Sequence, residues 1–488
     1  MNMLTMIPLA LYLILTLGLA FWVSSYSSRA KSGFLAEYFV GSRSLGGFAL
    51  AMAVIVTYIS ASSFLGGPGI AYSFGLSWVL LSMIQVPTAF LTLGVLGKKL
   101  SLAARRSGAI TLNDILRLRY KNDHLVLVAN LAMIVFFMAI CLAQFIGGAR
   151  LLQAVTGLPY ALGLSLFGLT VIVYTSIGGF RAVALTDALQ GIVMLVAAVV
   201  ILGATIHIGG GVANLTRQLA EIDPNLLRPS TKDVQLPMLF SFWVLVGIAI
   251  LGLPQTVHKC LGYKDTKSLH QAMLIGSLLI GFIMLCMHLS GVFARVLIPD
   301  LASPELAIPK LTLTVLSPVL AGVFIAGPLA AIMSTVDSML LMIAASLVKD
   351  IYLQYRHKGD ISKISPTGIK RFSFITTIII GLLVFFAALN PPTLLVWINL
   401  FAFGGLEAVF FLPLMLGLFW KKANASGAFA SMLAGLFSYI ILVAFKINCA
   451  GVNHIVPSLI IGLIAFILVN PLGKKPDQET LSYFGLDG

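Results

Sequence analysis

Charge is scarce in this chain, and acidic charge scarcest: of 488 residues only 17 are Asp or Glu, against 31 Lys or Arg, and charged residues make up 10%. A soluble domain carries about 25% charged residues on average, so soluble globular classes are excluded. Cysteine is also sparse. Cys141, Cys260, Cys286 and Cys449 stand at no metal-ligand or redox spacing, which argues against a zinc site and a disulfide framework. No polar stretch is long enough for an output module, which disfavours a membrane sensor, and no nucleophile, base and orienter set suggests an enzyme. No cofactor and no obligate protein partner is implied. What the chain does have is apolar length, with 59% hydrophobic residues and a mean hydropathy of +1.02. That composition predicts an all-α polytopic membrane protein, because each apolar run of about 20 residues can cross a bilayer.

Thirteen spans are expected, near 4–23, 46–73, 77–97, 124–149, 158–178, 185–207, 237–257, 271–294, 312–346, 372–389, 394–419, 427–445 and 454–472. The first lacks a basic leader and a clear cleavage site, so it is expected to remain as a helix. If the first loop is cytoplasmic, the cytoplasmic segments hold 24 of the 31 basic residues. Lys and Arg accumulate on that side, which predicts an outer N-terminus and a cytoplasmic C-terminus. The net charge of +14 then faces anionic lipid and implies no nucleic acid. Between spans three and four, Thr111 and Asp114 form a capping-box pattern at the start of a short interfacial helix. The outer segments 208–236 and 295–311 are expected to fold partly over the external entrance.

Two spans are interrupted. In Ala51–Gly75, AMAVIVTYISASSFLGGPGIAYSFG, hydroxyls precede the sequence Gly66-Gly67-Pro68-Gly69; in Phe242–Lys259, Gly252 and Pro254 interrupt an apolar run five spans later. Broken backbone at membrane depth is tolerated where it is buried in protein or lines a cavity. Paired interruptions in corresponding positions point to an inverted-repeat transporter with its site between the halves. The expected organisation is one integral membrane domain over 1–488. Its 5+5 core comprises repeats at about 46–207 and 237–419, with extra helices at 4–23, 427–445 and 454–472.

In AAIMSTVDSML, Ser334, Asp337 and Ser338 fall on one helical face, with Ala331 one turn before Ser334 and Thr335. Hard oxygens there suit a hard cation, although such hydroxyls also bond their own backbone. An intramembrane Asp is expensive without a cation or partner. Asp187 opens span six, where capping and a cation role are both open, and Glu407 reads as a protonated or hydrogen-bonded structural group. Ser60, Ser63, Gln85, Gln144 and Trp243 are candidates to orient a small organic ligand, each also explicable as packing.

YTSIGGFRA (174–182) and GLFWKKANASGAFAS (417–431) resemble the two signatures of the sodium/solute symporter family, and the resemblance covers nearly the whole chain. Within the family, EYFVGSRSLGG, TYISASSFLGGPG, QFIGGARLL, AIMST and AFGGLEAVF are most similar to its pantothenate carriers. The resemblance implies sodium-coupled uptake of pantothenate across a bacterial inner membrane by alternating access, with sodium as the coupling ion. It implies a sodium site made of the backbone oxygens of Val56, Ile59 and Ala331 and the side chains of Ser334 and Thr335. A second sodium, as in some members, would use Ser334, Asp337, Ser338 and Asp187, although Asp337 replaces a hydroxyl found there elsewhere. Proline carriers have an acid where this chain has Tyr58, which argues against proline. Symport of another small carboxylate or amino acid is the rival; a passive channel would show flux without coupling.

Overall fold

A computed structural model describes residues 3–27, 45–232, 234–358, 365–391 and 395–487, without the side chains of 20, 23–27, 178–185 and 366. Most of EYFVGSRSLGG, and the side chains in the second half of YTSIGGFRA, therefore lie outside the described residues. The chain is helical throughout them. The elements are α1 Met3–Ser27, α2 Gly47–Tyr58, α3 Gly67–Phe74, α4 Leu76–Ser107, α5 Leu112–Tyr120, α6 Asp123–Thr156, α7 Tyr160–Ile208, α8 Val212–Ile222 and α9 Leu236–Gly252. They continue with α10 Pro254–Lys259, α11 Thr266–Leu297, α12 Ala307–Val315, α13 Pro318–Arg356, α14 Pro366–Ala388, α15 Leu395–Phe419, α16 Ala425–Ala444, α17 Ile455–Leu472 and α18 Gln478–Tyr483. Helix is the form in which apolar segments satisfy their own backbone in lipid.

Among the described residues ten helices are long and apolar enough to cross a membrane, or eleven if the bent pair α2/α3 is one span. The apolar stretches Met3–Leu19 and Leu236–Gly252 are shorter, so length and composition fall short of the expected thirteen. Helix α7 is one 49-residue run carrying two apolar spans, Tyr160–Ile177 and Thr186–Ile208. Polar ends fix several starts. The Thr111 side chain accepts from the Asp114 N–H while Asp114 accepts from Thr111 N, forming the expected capping box. Asn122, Asp265 and Asn424 cap α6, α11 and α16 with side-chain oxygens that accept from the N–H groups of Leu125, Ser268 and Gly427.

The first interruption bends the chain by 68° between α2 and α3. It does not fall at the glycines and proline expected to cause it. Helix α2 ends at Tyr58, Ile59 is extended (φ −76°, ψ 125°), and a π-helical turn at Ser62–Gly66 leads into α3. Pro68 follows directly on that turn within the continuous helical run Ser62–Phe74, so its missing N–H weakens the ladder there without making the extended break at Ile59. The glycines allow close approach instead. A side chain at Gly66 would meet Val396 at 2.9 Å, and one at Gly69 would meet the Pro304 carbonyl at 2.6 Å.

The second interruption is proline-made. Leu253 is extended (φ −81°, ψ 110°) and Pro254 opens α10, as expected when proline excludes the helical region for the residue before it. Gly252 lies where any side chain would strike the backbone of Phe411 in α15, at 2.7 Å from its nitrogen.

Helix α13 is buried at almost every residue from Ala321 to Ala345 and packs most extensively on α7. Beside α3, residues 224–227 lie against Gly75 and residues 304–306 against Gly69. Arg150 pairs there with Glu305, whose other carboxylate oxygen accepts from Leu395 N at 2.6 Å. Parts of the segments 208–236 and 295–311 thus pack against α3.

Candidate functional site

The extended residue between α2 and α3 frees backbone groups, and hydroxyls collect them. Ser60 Oγ accepts from Ser62 N at 3.2 Å and Ser63 Oγ from Ser60 N at 3.4 Å. The Ala61 N–H donates to Gln144 Oε1 of α6 at 2.8 Å. On the facing side, Ser334 Oγ donates to Val56 O at 3.0 Å and lies 3.2 Å from Ala331 O. Thr335 Oγ1 lies 2.9 Å from Ala331 O and 3.3 Å from Ile59 O. Three carbonyls and two hydroxyls, from an interrupted helix and from one turn of α13, therefore converge in a buried cluster. It is a neutral, all-oxygen donor set. The hydroxyl hydrogens now bridge the carbonyls; rotated away, they leave lone pairs converging on the same space, a cradle suited to a small hard monovalent cation.

The acids expected at a second sodium behave differently. Asp337 accepts from Tyr174 of α7, while its other oxygen and the Ser338 hydroxyl have no hydrogen-bond partner among the described residues. Asp187 faces Lys259 of α10, with 3.8 Å between ammonium and carboxylate and both side chains buried. The structure thus brings Asp187 to a lysine, near enough for its charge to act on Asp337. Ser338 and Lys259 both line a cavity of about 600 Å³, together with Thr57, Gln255, His258 and Asp350. This cavity ends one helical turn from Ser334.

Its wall includes part of a polar network that sequence reasoning missed. Lys349 Nζ contacts Asp114 at 2.5 Å and Asp350 at 3.5 Å; Asn113 donates to Asp350 at 2.9 Å and to Asn130 at 2.7 Å. Burial works to raise the Asp114 pKa, but Lys349 and the N–H groups of Ile110 and Thr111 outweigh it and hold the carboxyl below its usual range.

Beside the first break lies a cavity of about 510 Å³ between α3, α4, α9, α11 and α15. Ser60, Ser63 and Gln85 line it, as expected. Gln144 does not, because its carbonyl is used on the freed Ala61 N–H. Trp243 does not either: the ring packs edge-on against Phe240 at 5.3 Å, and its neighbour Phe242 takes the cavity side. Trp78, Ser82, His288, Asn399 and Phe403 line the cavity and were not singled out, and Tyr58, noted only as an argument against proline, lines it too. Tyr58, carrying a phenol in place of an acid, was the one with a signal; it donates to Gln85 Oε1 at 2.6 Å. Glu407 is fully buried in α15, and neither carboxyl oxygen has a hydrogen-bond partner among the described residues.

A sequence profile of the sodium:solute symporter family matches residues 38–435. The chain is 48% identical over 482 residues to a sodium/pantothenate symporter of Haemophilus influenzae, covering 98% of this chain and 99% of that one. It is 47% identical over 483 residues to a sodium/pantothenate symporter of Escherichia coli, covering 99% of each. Identity to a sodium/proline symporter of Staphylococcus aureus is 28% over 493 residues, covering 97% of this chain and 94% of that one. Among solved structures, a Na+-coupled sialic acid symporter in a substrate-bound outward-open state superposes with a TM-score of 0.79 at 21% identity, covering 97% of this chain and 98% of that one. A nucleobase-cation-symport-1 family transporter gives 0.55 at 14%, covering 92% and 98%.

Proposed function

The chain belongs to the sodium:solute symporter family, an integral membrane family of transporters, and from that premise we propose that it carries pantothenate into the cell together with sodium across the cytoplasmic membrane. The similarity to two sodium/pantothenate symporters over nearly the full length of each chain supports the substrate. We read the chain as a transporter and not an enzyme, with its N-terminus outside and its C-terminus cytoplasmic, as the basic segments suggest.

The observation that carries the mechanism is the oxygen cluster at Val56, Ile59, Ala331, Ser334 and Thr335. It joins the break in the first interrupted helix to α13, and the same break forms one wall of the 510 Å³ cavity. A cation bound there ties the two elements together and fixes Ser60 and Ser63 at the cavity wall, so ion and solute stabilise one arrangement jointly. Coupling of that kind needs a difference in affinity between the outward and inward states. The 600 Å³ cavity at Ser338 offers the ion a way out to the cytoplasmic side.

Energetics set the ion count. A tenfold sodium gradient supplies about 1.4 kcal/mol per ion, and each net charge moved gains about 2.3 kcal/mol per 100 mV. Pantothenate is a monoanion, so one sodium per solute is electroneutral. The pairing of Asp187 with Lys259 favours that count over a second ion. The test is uptake of labelled pantothenate by proteoliposomes under an inward sodium gradient, against equal potassium, at zero and at negative-inside voltage. Sodium-dependent accumulation indifferent to voltage is expected. Acceleration by voltage would require a second ion, and no sodium-dependent accumulation by folded protein would remove the substrate assignment.

A further inference from the structure

Several of the hydrogen-bond donors lining the 510 Å³ cavity are used within its own wall, while Trp78 Nε1 is a buried donor without a partner among the described residues. The Tyr58 phenol donates to Gln85 Oε1 at 2.6 Å, Gln85 Nε2 to Ser82 O at 3.1 Å, and Ser82 Oγ to Val79 O at 2.8 Å. His288 of α11 bonds through Nδ1 to the Met284 carbonyl at 2.7 Å. A carbonyl only accepts, so Nδ1 carries the hydrogen, and in the neutral ring Nε2 is a bare acceptor. That nitrogen is brought against Gly67, where any side chain would displace it, and both residues line the cavity. No partner for Nε2 is found among the described residues, and the ring is 2% exposed. Across the same cavity, Asn399 of α15 is 3% exposed and its Oδ1 is buried without a partner. Among the described residues no Lys, Arg, Asp or Glu lines this space.

A buried acceptor left unpaired costs about 1–3 kcal/mol; Asn399 Oδ1 is such a group, and with the unpaired His288 Nε2 on the same cavity it marks where a ligand brings its own donors. We propose that His288 Nε2 and Asn399 Oδ1 are the specificity-determining acceptors of the transport cavity, reading hydroxyl or amide N–H groups of the organic substrate. This rests on the pantothenate reading above and deepens it. Pantothenate carries two hydroxyls and an amide N–H at one end and a carboxylate at the other. The donor-bearing end pairs with His288 and Asn399. The carboxylate is left to the serine hydroxyls at the break, where Ser60 and Ser63 use their oxygens as acceptors and retain their hydrogens. A site built to bond a hydroxyl rejects an analogue lacking it far more strongly than an apolar pocket discriminates a methylene, because its own groups are then stranded.

The experiment is competition against sodium-driven uptake of labelled pantothenate in proteoliposomes, using two probes. One is a dideoxy analogue lacking both pantoyl hydroxyls; the other is pantothenol, whose carboxylate is replaced by a primary alcohol. In the unsubstituted protein the dideoxy analogue is expected to compete at least 100-fold more weakly than pantothenate. His288→Phe keeps the ring and removes the acceptor; it should raise the pantothenate KM at least tenfold, leave the maximal rate within about twofold, and shrink the hydroxyl discrimination below tenfold. His288→Gln, which restores an acceptor, should recover part of it, and Asn399→Leu should act in the same direction. Equal competition by the dideoxy analogue in the unsubstituted protein overturns the inference without needing any variant. So does a His288→Phe protein that keeps hydroxyl discrimination but loses discrimination against pantothenol, since the ring would then be reading the carboxylate. Absence of sodium-driven pantothenate uptake would instead remove the substrate reading itself.

Discussion

The two interrupted helices break for opposite reasons. At Ile59–Ser60 no proline or glycine forces the break; hydroxyls and Gln144 take over the freed N–H groups, and the freed carbonyls of Val56 and Ile59 are left for Ser334 and Thr335. At Leu253 a proline forces it, and the surroundings are Phe411 and the apolar face of α15. The first interruption exposes oxygen to a ligand. The second sets geometry, and its chemistry comes from the helix that follows, where Lys259 reaches Asp187. Polar satisfaction from elsewhere marks a binding break, whereas a proline marks a shape.

The largest expected effect tests the charge carried by that second segment. Removing one partner of a buried ion pair costs about 3–5 kcal/mol, because the other charge is stranded. Lys259→Met should therefore lower thermal stability in detergent strongly, while Lys259→Met with Asp187→Asn should recover most of the loss. A double variant as unstable as the single one would show that Lys259 acts through packing.

At the first break, Ser334→Ala with Thr335→Val removes two of five oxygens. An apparent sodium affinity reduced about 100-fold, equivalent to about 2.7 kcal/mol, is expected from uptake measured against sodium concentration, with the pantothenate KM at saturating sodium changed much less. Unchanged sodium dependence would mean that the cluster is only structural. Gln144→Leu comes next. It strands the Ala61 N–H at a cost of about 1–3 kcal/mol, read as a lower melting temperature and weaker uptake, with sodium and pantothenate affinities falling together because one break serves both.

Much of this was legible in advance. The apolar runs gave the class, and the period of a helix placed Ala331, Ser334 and Thr335 on one turn. What the sequence hid was contact between distant segments. Glycine and proline at 66–69 looked like the place of the first break, yet the extended residue is Ile59, Pro68 lies within the continuous helical run Ser62–Phe74, and the glycines serve close packing. Phe242 and Trp243 are neighbours, and a π-helical turn at Val244–Ile248 follows them, so no regular wheel decides which ring faces the cavity. His288 reads as one polar residue in an apolar span until Gly67 and Met284 are seen beside it.

The smallest effect is the most discriminating between the two breaks. Pro254 occupies the first position of α10, where its missing N–H has no helical partner to lose. Replacing it with alanine leaves the folded contacts in place and mainly enlarges the unfolded ensemble, a loss of about 0.4–1 kcal/mol. Leu253 is then no longer barred from the helical region, but Gly252 pressed against the Phe411 backbone still holds the turn. Pro254→Ala should therefore melt slightly earlier and transport within about twofold of the unsubstituted protein, with the sodium dependence unmoved. If it instead shifted sodium affinity as the Ser334 and Thr335 substitutions should, the second interruption would belong to the ion site, and the division between a binding break and a shaping break would fail.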